Sequence, residues 1–152
     1  LMLTKDGPKL IEYNARFGDP ETQVMFARFT GDAAALLMSC AHGKLDSTHL
    51  TFSDDVAICV VMAAKGYPGA YEKGSVIRGL DVAAQTEGVS ILHAGTSSKD
   101  GNIIATGGRV LNIVATAPDI QIARERAYAA IREIDWPEGF YRKDIAWRAL
   151  KS

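Results

Sequence analysis

From Val56 onward the chain is written in short β-rich segments separated by glycine turns, and this rhythm constrains its fold more than any other feature. The segments are VAICVVMAA (Val56–Ala64), VIRGL, VSILHAGTS, IIATG and GRVLNIVATA, with turns at KGYPGAYEKG and SKDGN. Runs rich in Val and Ile, bounded by Gly, Asn and Asp, read as strands. Repeated at this spacing, they predict a small, mostly antiparallel β-sandwich or barrel-like domain. One helical pattern interrupts them. Over residues 118–134, Ile122, Ala123, Ala127, Ala130, Ile131 and Ile134 recur on one face, with Arg124, Glu125, Arg132 and Glu133 mainly outside.

Upstream the texture is helical. Gly18 allows a tight turn, Asp19 is placed as an N-cap, Pro20 suits the first helical position and Glu21 favours the positive end of the dipole, predicting a helix over about 20–29. Asp32 caps a second helix that stops at Gly43. The polar stretch over residues 46–55 is the best candidate boundary, dividing the chain into residues 1–50 and 51–152. The opening LMLTKDGPKLIEYN predicts a hairpin: residues 1–4, a turn at Lys5-Asp6-Gly7-Pro8 and a return strand from Lys9 to about Arg16. Two strands alone are marginally stable, so the rest of their sheet is expected outside this chain, which would then be a fragment.

Composition excludes several classes of function. The 152 residues are 47% hydrophobic and carry a net charge of −1, so no global field favours nucleic acid or an anionic membrane. The longest apolar run, VAICVVMAA, is far short of the ~20 residues a membrane helix needs. A cytoplasmic location is the default expectation. Cys40 and Cys59 form no CxxC pair and have no partner at zinc-ligand spacing, so both are expected to be free thiols.

Chemistry concentrates in IEYNARFGDPETQ, residues 11–23. Laid on a strand, Glu12, Asn14 and Arg16 share one face while Ile11, Tyr13, Ala15 and Phe17 share the other. A half-buried strand with a solvated face would alternate in the same way. The identity of the polar face argues for more. A carboxylate and an amide oxygen two residues apart can point at one hard cation, and Mg²⁺ takes one or two such oxygens with substrate phosphates and water. An arginine further along that face can stabilise a developing phosphoryl oxyanion, and a helix N-terminus adds amides where an anion can rest.

LIEYNARFGDPETQ resembles the last metal-binding strand of the ATP-grasp enzymes, and its Arg-Phe-Gly-Asp-Pro-Glu form resembles the phosphoribosylamine–glycine ligase (glycinamide ribonucleotide synthetase) family. GYPGAYEKG, HAGT, GGRVLNIVA, RERAYAAI and YRKDIAWRAL follow in the order of that family's C-terminal domain, so the resemblance covers essentially the whole chain. It implies an ATP-dependent carbon–nitrogen ligase of purine biosynthesis joining glycine to 5-phosphoribosylamine through a glycyl phosphate. Carried over by position, Glu12 and Asn14 would hold Mg²⁺ (or Mn²⁺) on the ATP phosphates and Arg16 would stabilise the transferred phosphoryl group. Asp19 is open to capping or to a substrate amine, and Glu21 is a further substrate-binding candidate. It also implies what is missing, an N-terminal part of the same enzyme with the phosphate-covering loop and the adenine pocket. Residues 1–50 would then finish the ATP-grasp module as a β-hairpin plus helices, and 51–152 would form the small C-terminal domain. The isolated fragment would be inactive. One departure is Ala146, where the family pattern leads to Gly.

Other residues admit two readings. His93 ends a predicted strand before a glycine turn, either as a satisfied structural histidine or as a pocket residue. Arg109, after Gly107-Gly108, either offers a guanidinium to the ribose phosphate or glycine carboxylate or is a surface arginine on a tight hairpin. His42 and His49 read as solvated surface, and KGYPGAYEKG, which lacks P-loop and dinucleotide spacing, reads as turns. The aromatic and basic tail, Trp136 to Arg148, reads as packing onto the domain rather than as a single-strand nucleic-acid platform. A different class of function, a biotinyl- or lipoyl-type carrier or a non-catalytic binding domain beside an ATP-grasp enzyme, fits the domain size. A carrier needs a hairpin-tip lysine flanked by a hydrophobic residue such as Met, and Lys65 after two alanines does not supply it.

Overall fold

The computed structural model describes residues 1–45 and 50–150; His49 lies outside them. At its centre are two long strands, β3 (Val56–Ala64) and β8 (Arg109–Ala117), antiparallel from Val56↔Ala117 to Met62↔Leu111 and then bulged so that Ala63 opposes Arg109. Both read as near-continuous apolar runs because both faces of their sheet are covered. β5 (Val89–His93) pairs with the other edge of β8, and β9 (Gly139–Tyr141) with the end of β3, giving the order β5-β8-β3-β9. A second sheet, ordered β4-β7-β6, is made of β4 (Val76–Ile77), β6 (Thr96–Lys99) and β7 (Asn102–Ala105). Every pairing is antiparallel, as the glycine-punctuated rhythm predicts.

The two sheets meet at a corner built from glycine. The chain leaves β5 through Gly95 and re-enters β8 through Gly107; Thr106 and Gly107 both donate to the Gly95 carbonyl (2.7 and 3.1 Å), and Gly95 donates to the Arg109 carbonyl (3.0 Å). A Cβ on Gly95 would stand 2.6 Å from the Gly107 Cα, closer than any side chain tolerates. Backbone meets backbone here, which only glycine permits.

α4 (Ile120–Glu133) crosses one face of the central sheet. Its Ala123, Ala127 and Ala130 are fully buried, and their small size lets the helix lie close against Ile58, Val60, Leu111 and Ile113. Asp119, next after Pro118, accepts from the Ile122 amide at 2.8 Å and so caps the helix that starts at Ile120. The opposite face carries α1 (Glu21–Arg28), with Thr22, Gln23, Phe26 and Ala27 near Ser90, Leu92 and Val114. α2 (Ala33–Ala41) is capped by Asp32 as expected, at 2.9 Å from the Ala35 amide. The four-residue α3 (Leu80–Ala83) follows Gly79 (φ +76°) and gave no periodic signal because it is a single turn.

At the start of the chain the hairpin forms as β1 (Met2–Thr4) and β2 (Gly7–Lys9), but the return strand stops at Lys9 instead of continuing to about residue 16. Residues 10–14 carry no strand, and Ile11, Tyr13 and Phe17 are 65%, 88% and 52% exposed. The expected burial of that apolar face is thereby corrected. The physical reason is the absence, among the described residues, of any strand pairing with this backbone.

The tail folds back on α4. The Tyr128 hydroxyl donates to the Arg142 carbonyl (2.7 Å) and accepts from the Ile145 amide (3.2 Å), while Arg124 donates to the carbonyls of Lys143 and Ile145 (2.8 and 3.0 Å). Trp136 is buried, its indole N–H donating to Ser75 at 2.9 Å. Ala146, the residue standing where the family pattern leads to Gly, has φ +63°.

Candidate functional site

Without a strand, Glu12, Asn14 and Arg16 still form a row. The Asn14 amide donates to Glu12 Oε1 at 3.3 Å, and Arg16 donates to Asn14 Oδ1 at 2.5 Å and to the Phe17 carbonyl at 2.9 Å. All three are exposed, so their polar ends are open to a ligand. Among the described residues no group of three or more His, Cys, Asp and Glu gathers to hold a metal, and a cation at Glu12 and Asn14 would need phosphate and water oxygens to complete its shell.

The turn that follows is anchored elsewhere than expected. Asp19 does not cap α1: Pro20 takes the cap position and makes no side-chain cap bond. The Asp19 carboxylate is instead held at both ends, Oδ1 accepting from Gln23 Nε2 (2.8 Å) and Oδ2 paired with Arg109 Nη2 (2.8 Å), while Arg109 Nη1 also donates to the Asp19 carbonyl (3.3 Å). A guanidinium that reaches carboxylate and carbonyl together is a stronger partner than a helix-end amide. Glu21 folds its carboxylate back over Gly18, where any added Cβ would collide with it.

Arg109 is presented by the glycine corner. Gly108 lies against the Tyr67 ring so closely that a Cβ would enter the ring, and Gly107 lies against Gly95. GYPG, HAGT, GGRV and GDPE thus converge on one point. Nearby, burial and then the Asp19 charge push the Cys59 thiol up from its ordinary 9.0 to about 12. Its sulfur lies 3.8 Å from Oδ1 of the buried Asn112.

The order and spacing of these stretches match known families. Residues 57–148 match the model described as phosphoribosylglycinamide synthetase, C domain, and residues 1–22 match the ATP-grasp (A) domain of the same synthetase. The chain belongs to the phosphoribosylglycinamide synthetase family. A phosphoribosylamine–glycine ligase from Brucella melitensis is 56% identical over 99% of this chain, and a chloroplastic one from Arabidopsis thaliana is 51% identical over 99%. The crystal structure of the Thermotoga maritima ligase superposes on 94% of the chain with a TM-score of 0.75 at 33% identity. The chain spans 35%, 29% and 34% of these three proteins, about a third of each synthetase.

Against that family, the candidate residues sort by place. Glu12, Asn14 and Arg16 lie together on the stretch matched to the ATP-grasp domain, and Asp19 and Arg109 meet across the two matched regions. His93 lies at the exposed end of β5, in register with Leu111 two residues from Arg109, and its Nδ1 is 2.9 Å from Thr96 Oγ1. His42 is the exposed C-cap of α2. Sequence reasoning missed Gln23, although its position four residues after Asp19 is a helical neighbour signal. It also missed Tyr67, whose ring is read correctly as part of a turn but whose contact with Gly108 depends on tertiary placement.

Proposed function

We propose that this chain is the C-terminal portion of a phosphoribosylamine–glycine ligase, in which residues 1–50 complete an ATP-grasp module and 51–152 form the C-terminal domain beside it. The observation that carries the reading is the exposed Glu12–Asn14–Arg16 row leading into the anchored Gly-Asp-Pro-Glu turn. In the whole enzyme the glycine carboxylate would attack the γ-phosphate of ATP, giving glycyl phosphate and ADP. The amine of 5-phosphoribosylamine would then attack the acyl carbon and release phosphate.

Glu12 and Asn14 have the donor chemistry for Mg²⁺ or Mn²⁺, one carboxylate and one amide oxygen on exposed side chains; here Asn14 turns its Nδ2 to Glu12 (3.3 Å) and its Oδ1 to Arg16, so the amide would rotate to present its oxygen to the ion. The ion would neutralise the nucleotide phosphates during transfer. Arg16, within hydrogen-bond reach of Asn14, places a permanent cation beside them for the charge that develops on the moving phosphoryl group. Glu21, with its carboxylate beside Gly18, is the free acid of the turn and is assigned to the substrate amine. Arg109 is paired with Asp19 and would act through it, while His93, with Nδ1 beside Thr96, is kept as a substrate-binding candidate through its other ring nitrogen.

The partners of the reaction are ATP, glycine, 5-phosphoribosylamine and the N-terminal part of the same enzyme. An apolar pocket of about 170 Å³, walled by Phe17, Phe26, Phe29, Leu37 and Phe52, supports a covering partner at residues 17–52. No described helix is long and apolar enough to cross a membrane. A cytoplasmic location is the proposal. Glycine-dependent release of ADP by the full-length protein tests the function; ADP release indifferent to glycine would refute it.

A further inference from the structure

We propose that Arg109 is a positioning residue for the ligase reaction: through Asp19 it locks the Gly-Asp-Pro-Glu turn, and with it the approach to Glu21, onto the C-terminal sheet. The inference rests on the ligase reading above and assigns work to a residue that the sequence alone leaves between substrate contact and surface. Three observations carry it.

First, the contact is two-pronged. Arg109 Nη2 meets Asp19 Oδ2 at 2.8 Å and Nη1 meets the Asp19 carbonyl at 3.3 Å, so the guanidinium fixes both the side chain and the peptide of Asp19. Each side chain is 38% exposed, less than either partner of the Arg78–Asp135 pair at 65% and 62%. Second, both Asp19 oxygens are held, Oδ2 by Arg109 and Oδ1 by Gln23 Nε2 at 2.8 Å. Each oxygen thus has a protein partner that holds the carboxylate in place, which is what an anchor requires. Third, Arg109 is delivered rigidly. Its carbonyl accepts from Gly95, the preceding Gly108 lies on the Tyr67 ring and Gly107 abuts Gly95, so any shift of the strand start would have to disturb these contacts. GYPG, HAGT and GGRV, scattered over residues 66–110, have their common physical purpose in that delivery.

The reacting groups gain from such an anchor because misplacement of a catalytic constellation by about 1 Å costs up to ~100-fold in rate. Asp19 is only three residues after Arg16, so release of the turn would loosen the phosphoryl-stabilising guanidinium as well.

The test uses the full-length enzyme with Arg109→Met, Arg109→Lys, Asp19→Asn and the double variant Asp19→Asn/Arg109→Met. A parent without glycine-dependent turnover would sink the ligase reading itself. With an active parent, Arg109→Met is expected to lower kcat about 10- to 100-fold while KM for 5-phosphoribosylamine and for glycine stays within about threefold. Arg109→Lys, a point charge that cannot span carboxylate and carbonyl together, recovers part of the loss. The double variant is no worse than Arg109→Met alone, because both changes cut one link. The inference is overturned by a KM increase with kcat unchanged, which would make Arg109 a substrate contact, by additive losses in the double variant, or by Arg109→Lys behaving as the parent. Should Arg109→Met fail to fold, the Arg109→Lys and Asp19→Asn pair decides by the same split.

Discussion

Ala146 is the residue whose conformation most plainly disagrees with its chemistry. A left-handed backbone at φ +63° costs an L-residue roughly 1–2 kcal/mol that glycine avoids, offset in part by glycine's greater unfolded entropy. Ala146→Gly is therefore expected to raise stability by about 0.5–1 kcal/mol, read as a higher urea midpoint at unchanged slope. A fall in the midpoint would mean that the Ala146 methyl, which packs on the core, outweighs the backbone term. Cys59 offers a second residue-scale test. Its thiol is raised from 9.0 to about 12 by burial and by Asp19, so between those values the folded state holds a proton that the unfolded state has lost. Stability consequently falls as pH rises through that window and is unaffected below it. Cys59→Ala should flatten the loss between pH 8 and pH 10 whatever its effect at pH 8; an identical decline in both proteins would remove the thiol from the account.

At the scale of elements, the glycine corner between the two sheets governs how β5, β6, β7 and β8 connect. Gly95→Ala forces a methyl to within 2.6 Å of the Gly107 Cα, and neither backbone can yield without breaking the bonds that the Gly95 carbonyl accepts. A loss of about 1–3 kcal/mol is expected, measured by denaturant midpoint, and a neutral substitution would show that the corner is loose. The strands themselves were legible in sequence because Val56–Ala64 and Arg109–Ala117 announce themselves by β-branched density and bounding glycines. Asp32 and the apolar period of α4 were legible for equally local reasons. β9 and α3 were not, since three or four residues carry no period, and β9 exists through its pairing with Met62, Ala63 and Ala64. The site divides in the same way. Glu12, Asn14 and Arg16 could be named from spacing two apart, but the strand assumed for them needs a neighbour that the described residues do not provide. Asp19 looked like a cap because local rules see only the helix it precedes, whereas its partner Arg109 is 90 residues away.

For the whole molecule, the large exposed apolar side chains are unevenly placed. Leu1, Leu3, Ile11, Tyr13, Phe17 and Phe52 stand open in the first third of the chain, while the sheet beneath α4 buries Val60, Leu111 and Ile113 completely. Open apolar surface on that scale marks a face meant to be covered, and the ligase reading supplies the remaining two thirds of the enzyme as its cover. In the ligase reading, residues 1–152 hold one edge of the site, and the rest of the enzyme completes it. Formation of glycinamide ribonucleotide from ATP, glycine and 5-phosphoribosylamine measures this directly, with three proteins side by side: the full-length enzyme, its Glu12→Ala/Asn14→Ala variant and the isolated chain. Turnover is expected from the first, a loss of at least about 100-fold in the second and no product from the third. Product from the isolated chain, or undiminished turnover in the variant, would contradict it.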